Sequence, residues 1–329
     1  MKTPPHVVSI GELLWDLLPS GPQLGGAPAN LACHVHALGA AASLVSCVGR
    51  DRLGHEALRL LQARGLDVAC IDRDPERPTG TVVVDVDADG QPRFKIVERV
   101  AWDSILATDE AMDRARQADA ICFGSLAQRS PAAGRAIQQV VAASRPEALR
   151  VFDINLRAPF FDADVIEGSL RIANVLKLND AELPVVAEQL GLQGTTEEQV
   201  EALAGRFGLE VIALTLGASG SLLYRGGRWA QEPARSVAVI DSVGAGDSFT
   251  AALVLGLLLD LPTEVLLVHA ADVAAFVCTK AGATPELPAE LVAPFAVVPS
   301  RIRDATSSDW GGARRVAPLH GLGTRDAGG

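Results

Sequence analysis

Short apolar runs alternate with amphipathic stretches along most of the chain. Residues 7–10, 43–48, 120–123, 149–155, 175–179 and 211–216 are strand-length and largely apolar, with polar residues mostly towards their ends. That pattern predicts strands buried on both faces, as in a parallel sheet. Between them lie helical periods. Leu31, Val35 and Leu38 recur at helical spacing after Pro28 and stop at Gly39, and further helices are predicted over 55–64 and 131–144. One region has another texture. Residues 81–87 alternate in part and are rich in Val, Asp89-Gly90 is a hairpin signal, and Phe94, Ile96 and Val100 lie on the return. A hairpin among βα units is foreign to a parallel sheet, so it is read as a small flap. The prediction is a doubly wound, mostly parallel α/β domain over 1–298 with a small β-sheet lid. The lid is built from segments near 12–22 and 79–102.

Composition narrows this picture. The chain has 329 residues, 48% of them hydrophobic and only 4% aromatic. The core volume must therefore come from Ala, Val and Leu, which suits helices on a parallel sheet. A net charge of −11 argues against nucleic acid or an anionic membrane as the main partner. The five cysteines, Cys33, Cys47, Cys70, Cys122 and Cys278, are scattered and mostly inside apolar runs. They read as free thiols in a reducing, cytoplasmic setting. The start lacks the apolar core of a signal peptide, and no apolar run is long enough to span a bilayer. From about residue 299 Gly, Arg, Ser and Asp dominate, which predicts a disordered tail over 299–329.

The chemistry concentrates in Asp241-Ser242-Val243-Gly244-Ala245-Gly246-Asp247. A β-rich run at 237–240 precedes it and an apolar helix from Ala251 follows it, so it reads as strand, glycine turn, helix N-terminus. Free N–H groups at such a terminus attract phosphate. Asp247 would repel phosphate there unless it accepts a proton from an attacking hydroxyl. The competing reading is that Asp247 merely caps the helix.

Other stretches carry weaker signals. Gly25-Gly26-Ala27-Pro28-Ala29-Asn30 allows close approach of backbone to a ligand and places the Asn30 amide in a first helical turn. The rival reading is a loop-to-helix junction. Asp16, an acid within an apolar run, either faces solvent or holds a polar ligand. Asp153, Asn155, Arg157, Asn179 and Glu182 collect at predicted strand ends, where open α/β sheets bind ligands; Asp180 is equally suited to cap a helix. Gly217 and Gly220 lie in a small-residue turn after a strand. Cys33 and His36 share a helix face but no second ligand pair follows, and His55-Glu56 is not continued by a second His, so zinc is not expected. There is no Gly-Lys dipeptide, which excludes a Walker-type P-loop, and the three-glycine dinucleotide fingerprint is missing.

Taken in order, these stretches resemble the ribokinase-like (PfkB-type) carbohydrate kinases. The resemblance covers about residues 7–291. Its most specific element is 241–247, with Gly25 to Asn30 as a second signature; Gly49-Arg50-Asp51 with Gly54, Asn179 with Glu182, and Thr215-Leu216-Gly217 with Gly220 fall where the family has further markers. The resemblance implies that Asp247 is the general base and that the N–H groups of Gly244, Ala245 and Gly246 hold the transferring phosphoryl charge. It implies that Asp16, Gly26 and Asn30 bind sugar hydroxyls, and that Thr215, Gly217 and Gly220 line the ATP site. Asn179 and Glu182 would position Mg²⁺ through water. Asp241 and Val243 would offer oxygens to a monovalent cation such as K⁺, with Ser242 standing where Thr is commoner. Within the family the chain looks most like bacterial fructokinases, on Gly11-Glu12 with Asp16, the early Gly-Gly-Ala-Pro-Ala-Asn, Ala101-Trp102-Asp103 and Asn155-Leu156-Arg157. Arg157 would then touch the phosphoryl group or the substrate. The expected reaction is transfer of the ATP γ-phosphoryl group to a primary hydroxyl of a ketohexose, foremost fructose. Ribose, 2-keto-3-deoxygluconate and nucleosides are the alternative acceptors. The lid's exposed strands need covering, which predicts a homodimer through the lid. A sugar-binding protein without catalysis and a nicotinamide-dependent oxidoreductase are the rivals from other classes.

Overall fold

The computed structural model describes residues 3–86 and 92–296. The predicted tail and the Asp89-Gly90 turn lie outside the described residues. Among the described residues nine strands form the main sheet: β1 (His6–Ile10), β4 (Ala41–Gly49), β5 (Ile71–Asp74), β8 (Ala120–Phe123), β9 (Leu149–Asp153), β10 (Val175–Asn179), β11 (Val211–Thr215), β12 (Ser221–Arg225) and β13 (Arg228–Glu232). Their spatial order is β13-β12-β11-β10-β9-β8-β1-β4-β5. All pairs from β11 to β5 are parallel, and β12 and β13 add an antiparallel edge.

Period-two side chains sort into two cores, because successive residues of a strand face opposite sides. Val7, Val151, Val211 and Ala213 face one core with helices α1 (Ala27–Ala37), α2 (Arg52–Ala63), α8 (Ala245–Leu258) and α9 (Thr263–Cys278). Val8, Phe152, Ile212 and Leu214 face the other, with α3 (Asp109–Gln117), α4 (Pro131–Ala142), α5 (Ala163–Ile172), α6 (Glu182–Leu190) and α7 (Thr196–Phe207). Both faces are covered, which is why these strands read as apolar runs without alternation. Helix α8 packs between α1 and α9 and is buried continuously from Ser248 to Gly256. No helix among the described residues is long and apolar enough to cross a membrane, and the five cysteines are unpaired.

A second sheet of four strands, β3-β2-β6-β7, forms the lid: β2 (Leu14–Leu18), β3 (Gly21–Gly25), β6 (Gly80–Val86) and β7 (Pro92–Ile96). The first excursion is a complete hairpin that runs on to Gly25, where Leu14 pairs with Gly25. Its β2 pairs in parallel with β6, setting Asp16 opposite Val82. Asp51 ties this lid to the body. Its carboxylate caps α2 through the Gly54 N–H at 2.8 Å and accepts from the N–H and Oγ1 of Thr79, both at 2.7 Å, at the entry to β6. These bonds outweigh burial and hold its carboxyl below the usual carboxylate range.

The expected strand at 237–240 is not one. The segment has no regular secondary structure and pairs with no strand among the described residues, and Val239 and Ile240 are 65% and 68% exposed. The N–H groups of Ile240 and Asp241 instead donate to the Cys278 carbonyl at the end of α9, at 2.8 and 3.3 Å.

Candidate active site

Strands β4 and β5 leave β1 in one direction, while β8 to β11 run out on its other side. The chain reverses between β1 and β8, and a crevice opens at the carboxyl ends of the strands there. A cavity at this point is lined by Ser9, Glu12, Ser125, Asp153 and Asn155 among others. Two helix N-termini converge beside it. One belongs to α1, whose N-cap Gly26 has φ 104°; a Cβ there would meet the Glu12 carbonyl oxygen at 2.3 Å. The other belongs to α8, whose N-cap Gly244 has φ 81°; a Cβ there would meet the Ala283 carbonyl oxygen at 2.1 Å. Both turns therefore require glycine.

Asp247 does not cap α8. It stands in the first turn and makes no capping bond. Its Oδ2 instead accepts from the buried Asn30 amide at 2.8 Å, which joins the two helix starts. The residue is only partly buried, yet the surrounding protein strips its carboxyl of water and pushes its pKa up to about 6. Asp153 pushes in the same direction, while the Asn30 bond, Lys177 and Arg157 oppose it. The Ala245 N–H donates a long 3.3 Å bond to Ser242, whereas Ser248 starts the regular ladder by donating to Gly244 at 2.9 Å.

Asp16 faces inward from the lid rather than to solvent. It is half-buried, and its Oδ2 lies 2.5 Å from where a Cβ on Gly25 would stand. Burial raises its pKa and the Arg157 guanidinium lowers it. Arg157 is exposed, with Nη1 on the Leu156 carbonyl at 3.0 Å, and its charge reaches Glu12, Asp16 and Asp247. These residues, with Gly26 and Asn30, form one group around the crevice.

Asn179 and Glu182 are bound into the frame. Asn179 Oδ1 accepts from the N–H groups of Ala181 and Glu182, both at 2.9 Å. The N-cap of α6 is Ala181, and it is the Asn179 side chain, two positions earlier, that takes up these first N–H groups. Glu182 Oε1 and Oε2 accept from Leu156 N–H at 2.9 Å and Asn179 N–H at 2.8 Å. Among the described residues no three Cys, His, Asp or Glu side chains converge as a metal site. This donor set does not fit a metal caged by protein. It fits a hydrated Mg²⁺ carried on phosphates, which needs only outer contacts. Thr215 closes β11, and the turn Gly217–Ser219 with Gly220 follows at the next strand end. Asp241 clips its own loop, accepting from Val243 N–H and Gly282 N–H, both at 3.0 Å.

Two features were under-read in the sequence. Glu12 is 3% exposed, its Oε2 is unpartnered, and burial pushes it up to about 7. Lys177 is buried and pairs with Asp153 at 3.1 Å. Their signal was a charge inside or closing a buried strand, a costly placement without a partner.

Sequence and structure comparisons converge. The family model described as pfkB family carbohydrate kinase matches residues 22–290. The fructokinase of Solanum tuberosum is 30% identical over 305 residues, covering 86% of this chain and 93% of that one. An uncharacterised sugar kinase of Pyrococcus horikoshii, crystallised in complex with ATP, superposes with a TM-score of 0.73 at 29% identity, covering 84% and 94%. A ribokinase II of E. coli, crystallised with ATP and Mg²⁺, superposes with a TM-score of 0.78 at 21% identity, covering 88% and 98%, a likeness of fold.

Proposed function

The chain belongs to the pfkB family of carbohydrate kinases and is a phosphotransferase with an alcohol acceptor; from that premise we propose that it transfers the γ-phosphoryl group of ATP to a primary hydroxyl of fructose. The observation that carries this reading is the 2.8 Å bond from Asn30 to Asp247. It supports the reading because it joins an amide able to bind a hydroxyl to a carboxylate able to accept its proton, beside the glycine turn of a helix N-terminus.

In the proposed reaction the sugar lies in the crevice beneath the lid, with its hydroxyls on Asp16, Asn30 and the Gly26 backbone. Asp247, ionised, takes the proton of the attacking hydroxyl. The hydroxyl oxygen forms its bond to phosphorus as the bond from phosphorus to the departing ADP oxygen breaks. The N–H groups of 244–246 face the charge on the transferring group; losing one such donor costs about 3 kcal/mol. The long Ala245 bond to Ser242 is the one most readily exchanged for a phosphoryl oxygen. Arg157, exposed and with its side chain bonded among the described residues only to its neighbour's carbonyl, adds a planar fork for oxygens. Thr215, Gly217 and Gly220 form the floor for the nucleotide. Mg²⁺ carried by the nucleotide would neutralise phosphate charge, with Asn179 and Glu182 facing its water shell. The loop of Asp241 and Val243 would present oxygens to K⁺. Free buried thiols are in keeping with the cytoplasm.

The test is ATP consumption by purified protein with Mg²⁺ and K⁺ across fructose, ribose, 2-keto-3-deoxygluconate, glucose and adenosine, with Asp247→Ala alongside. Fructose should give the highest kcat/KM, and the variant should lose at least about a hundredfold. A different best substrate with a dead variant overturns the fructose assignment alone. An active Asp247→Ala overturns the mechanism.

A further inference from the structure

Asp153 and Lys177 form an ion pair under the first turn of α8 that the proposed reaction does not use. Asp153 closes β9 and Lys177 lies in β10, with side chains only 10% and 8% exposed. Lys177 Nζ is 3.1 Å from Asp153 Oδ1. The other carboxylate oxygen, Oδ2, accepts from Thr250 Oγ1 at 2.7 Å, and that hydroxyl also lies 3.0 Å from the Gly246 carbonyl. Lys177 Nζ also lies 3.2 Å from the position of a Cβ on Gly246. Both members of the pair thus meet the turn that carries Asp247 at Gly246, Asp153 through Thr250 and Lys177 directly.

Stability does not account for it. A buried ion pair costs several kcal/mol of desolvation per ion, and apolar side chains of like volume serve as well or better. The strands around it are already filled with Val151, Phe152, Leu176 and Leu178. What the pair provides is charge at a fixed place. Asp247 accepts from the neutral Asn30 amide of α1 and lies within electrostatic reach of Asp153 of β9, Lys177 of β10, Arg157 in the loop after β9 and Glu12 in the loop after β1. Glu182, opening α6, acts on Lys177. Lys177 stays protonated: burial opposes its charge, but Asp153, Glu182 and Asp247 together raise it above the usual lysine range.

We propose that Asp153 and Lys177 are positioning residues that, held against the Gly246 turn, set the proton affinity of Asp247 with opposite effect. Asp153 keeps the base strong enough to take a hydroxyl proton. Lys177 keeps it ionised at neutral pH. This rests on Asp247 acting as the general base.

The experiment is the pH profile of kcat/KM for the best substrate, with thermal unfolding measured on each protein. The panel is wild type, Lys177→Met, Lys177→Arg, Asp153→Asn, the Lys177→Met/Asp153→Asn double variant and Thr250→Val. Wild type should show an acid limb. Lys177→Met should move it up by about one pH unit or more and Asp153→Asn should move it down, as loss of a cation or an anion near a carboxylate does. Below its raised limb, Lys177→Met should lose about tenfold in kcat/KM for each such unit. Lys177→Arg keeps the charge and Thr250→Val changes none, so both should leave the limb in place. In the double variant the two displacements should largely cancel. A wild-type profile with no acid limb sinks the reading of Asp247 as base. A limb that is present but moves the same way, or not at all, in the two charge variants overturns the inference and leaves that reading intact. So does a limb that moves in Thr250→Val. If either single variant does not fold, the double variant decides: a limb displaced by about one pH unit or more overturns the proposal.

Discussion

Glu12 states the energetics of the site most plainly at the level of one residue. Its carboxyl is buried beside the α1 N-terminus with one oxygen unpartnered, and its pKa rises from 4.5 to about 7. The sign follows from linkage. A carboxyl that holds its proton more tightly when folded favours the folded state at low pH. That contribution is complete below about pH 4.5 and is lost as pH rises to about 7. Because each pH unit of displacement is worth 1.36 kcal/mol, the loss is on the order of 3 kcal/mol. Glu12→Gln cannot ionise, so relative to wild type it should gain stability between about pH 4.5 and 7, by up to that order. Urea denaturation at pH 4.5 and pH 8 measures this; equal differences at both pH values would show that Glu12 ionises freely in the folded protein. Asp247 has the same sign over a lower window, from 3.8 to about 6. A base placed where its ionised form is disfavoured destabilises the fold and is correspondingly ready to accept a proton.

At the level of elements, the site depends on how helices and lid are seated. The Gly244 turn brings α8 against the 279–283 loop so closely that a Cβ would meet backbone. Gly244→Ala must either shift that loop or unwind the first turn, and both displace Asp247. It should cut kcat by at least tenfold while KM for the sugar, set on α1 and the lid, changes little; steady-state kinetics separates the two. The second lid excursion is anchored differently. Arg129 makes two bonds to Asp103, at 2.8 and 3.0 Å, donates to the Val97 carbonyl at 2.7 Å, and lies over the rings of Trp102 at 3.8 Å and Phe160 at 4.8 Å. Arg129 and Asp103 are 7% and 11% exposed. Removing one partner leaves a buried charge alone, which costs about 3–5 kcal/mol. Asp103→Asn should lose that order of stability in chemical denaturation, and a loss under 1 kcal/mol would mean water reaches Arg129 in solution.

For the whole molecule, what the sequence disclosed depended on range. Strands 120–123 and 175–179 were legible because burial on both faces leaves an unbroken apolar run. Asp247 and Asn30 stood out as polar residues beside glycines, whereas Asp16, from its neighbours alone, was open between solvent and ligand and joined the candidate site only through the family resemblance. The contact of Asn30 with Asp247, 217 positions apart, and the pairing of Asp153 with Lys177 and Thr250 were not legible, since only the assembled fold brings them together. The segment 237–240 misled because β-branched residues also favour extended chain that has no partner strand. The predicted dimer belongs to this scale too. The lid sheet ends in β3 and β7, and each of these edge strands carries a proline, Pro22 and Pro92. Proline lacks an N–H, and natural sheets place it on edges to discourage edge-to-edge pairing. A dimer through the lid should therefore join sheet faces rather than extend the strand ladder, and its stability should come from apolar burial. Sedimentation equilibrium should give twice the chain mass, with little change when salt is raised, because burial is not screened as exposed charges are. Replacing Leu18 of β2, half-buried in the isolated chain, with Glu should weaken the dimer and raise KM for the sugar. A monomer in the wild type at micromolar concentration would assign lid closure to each chain alone.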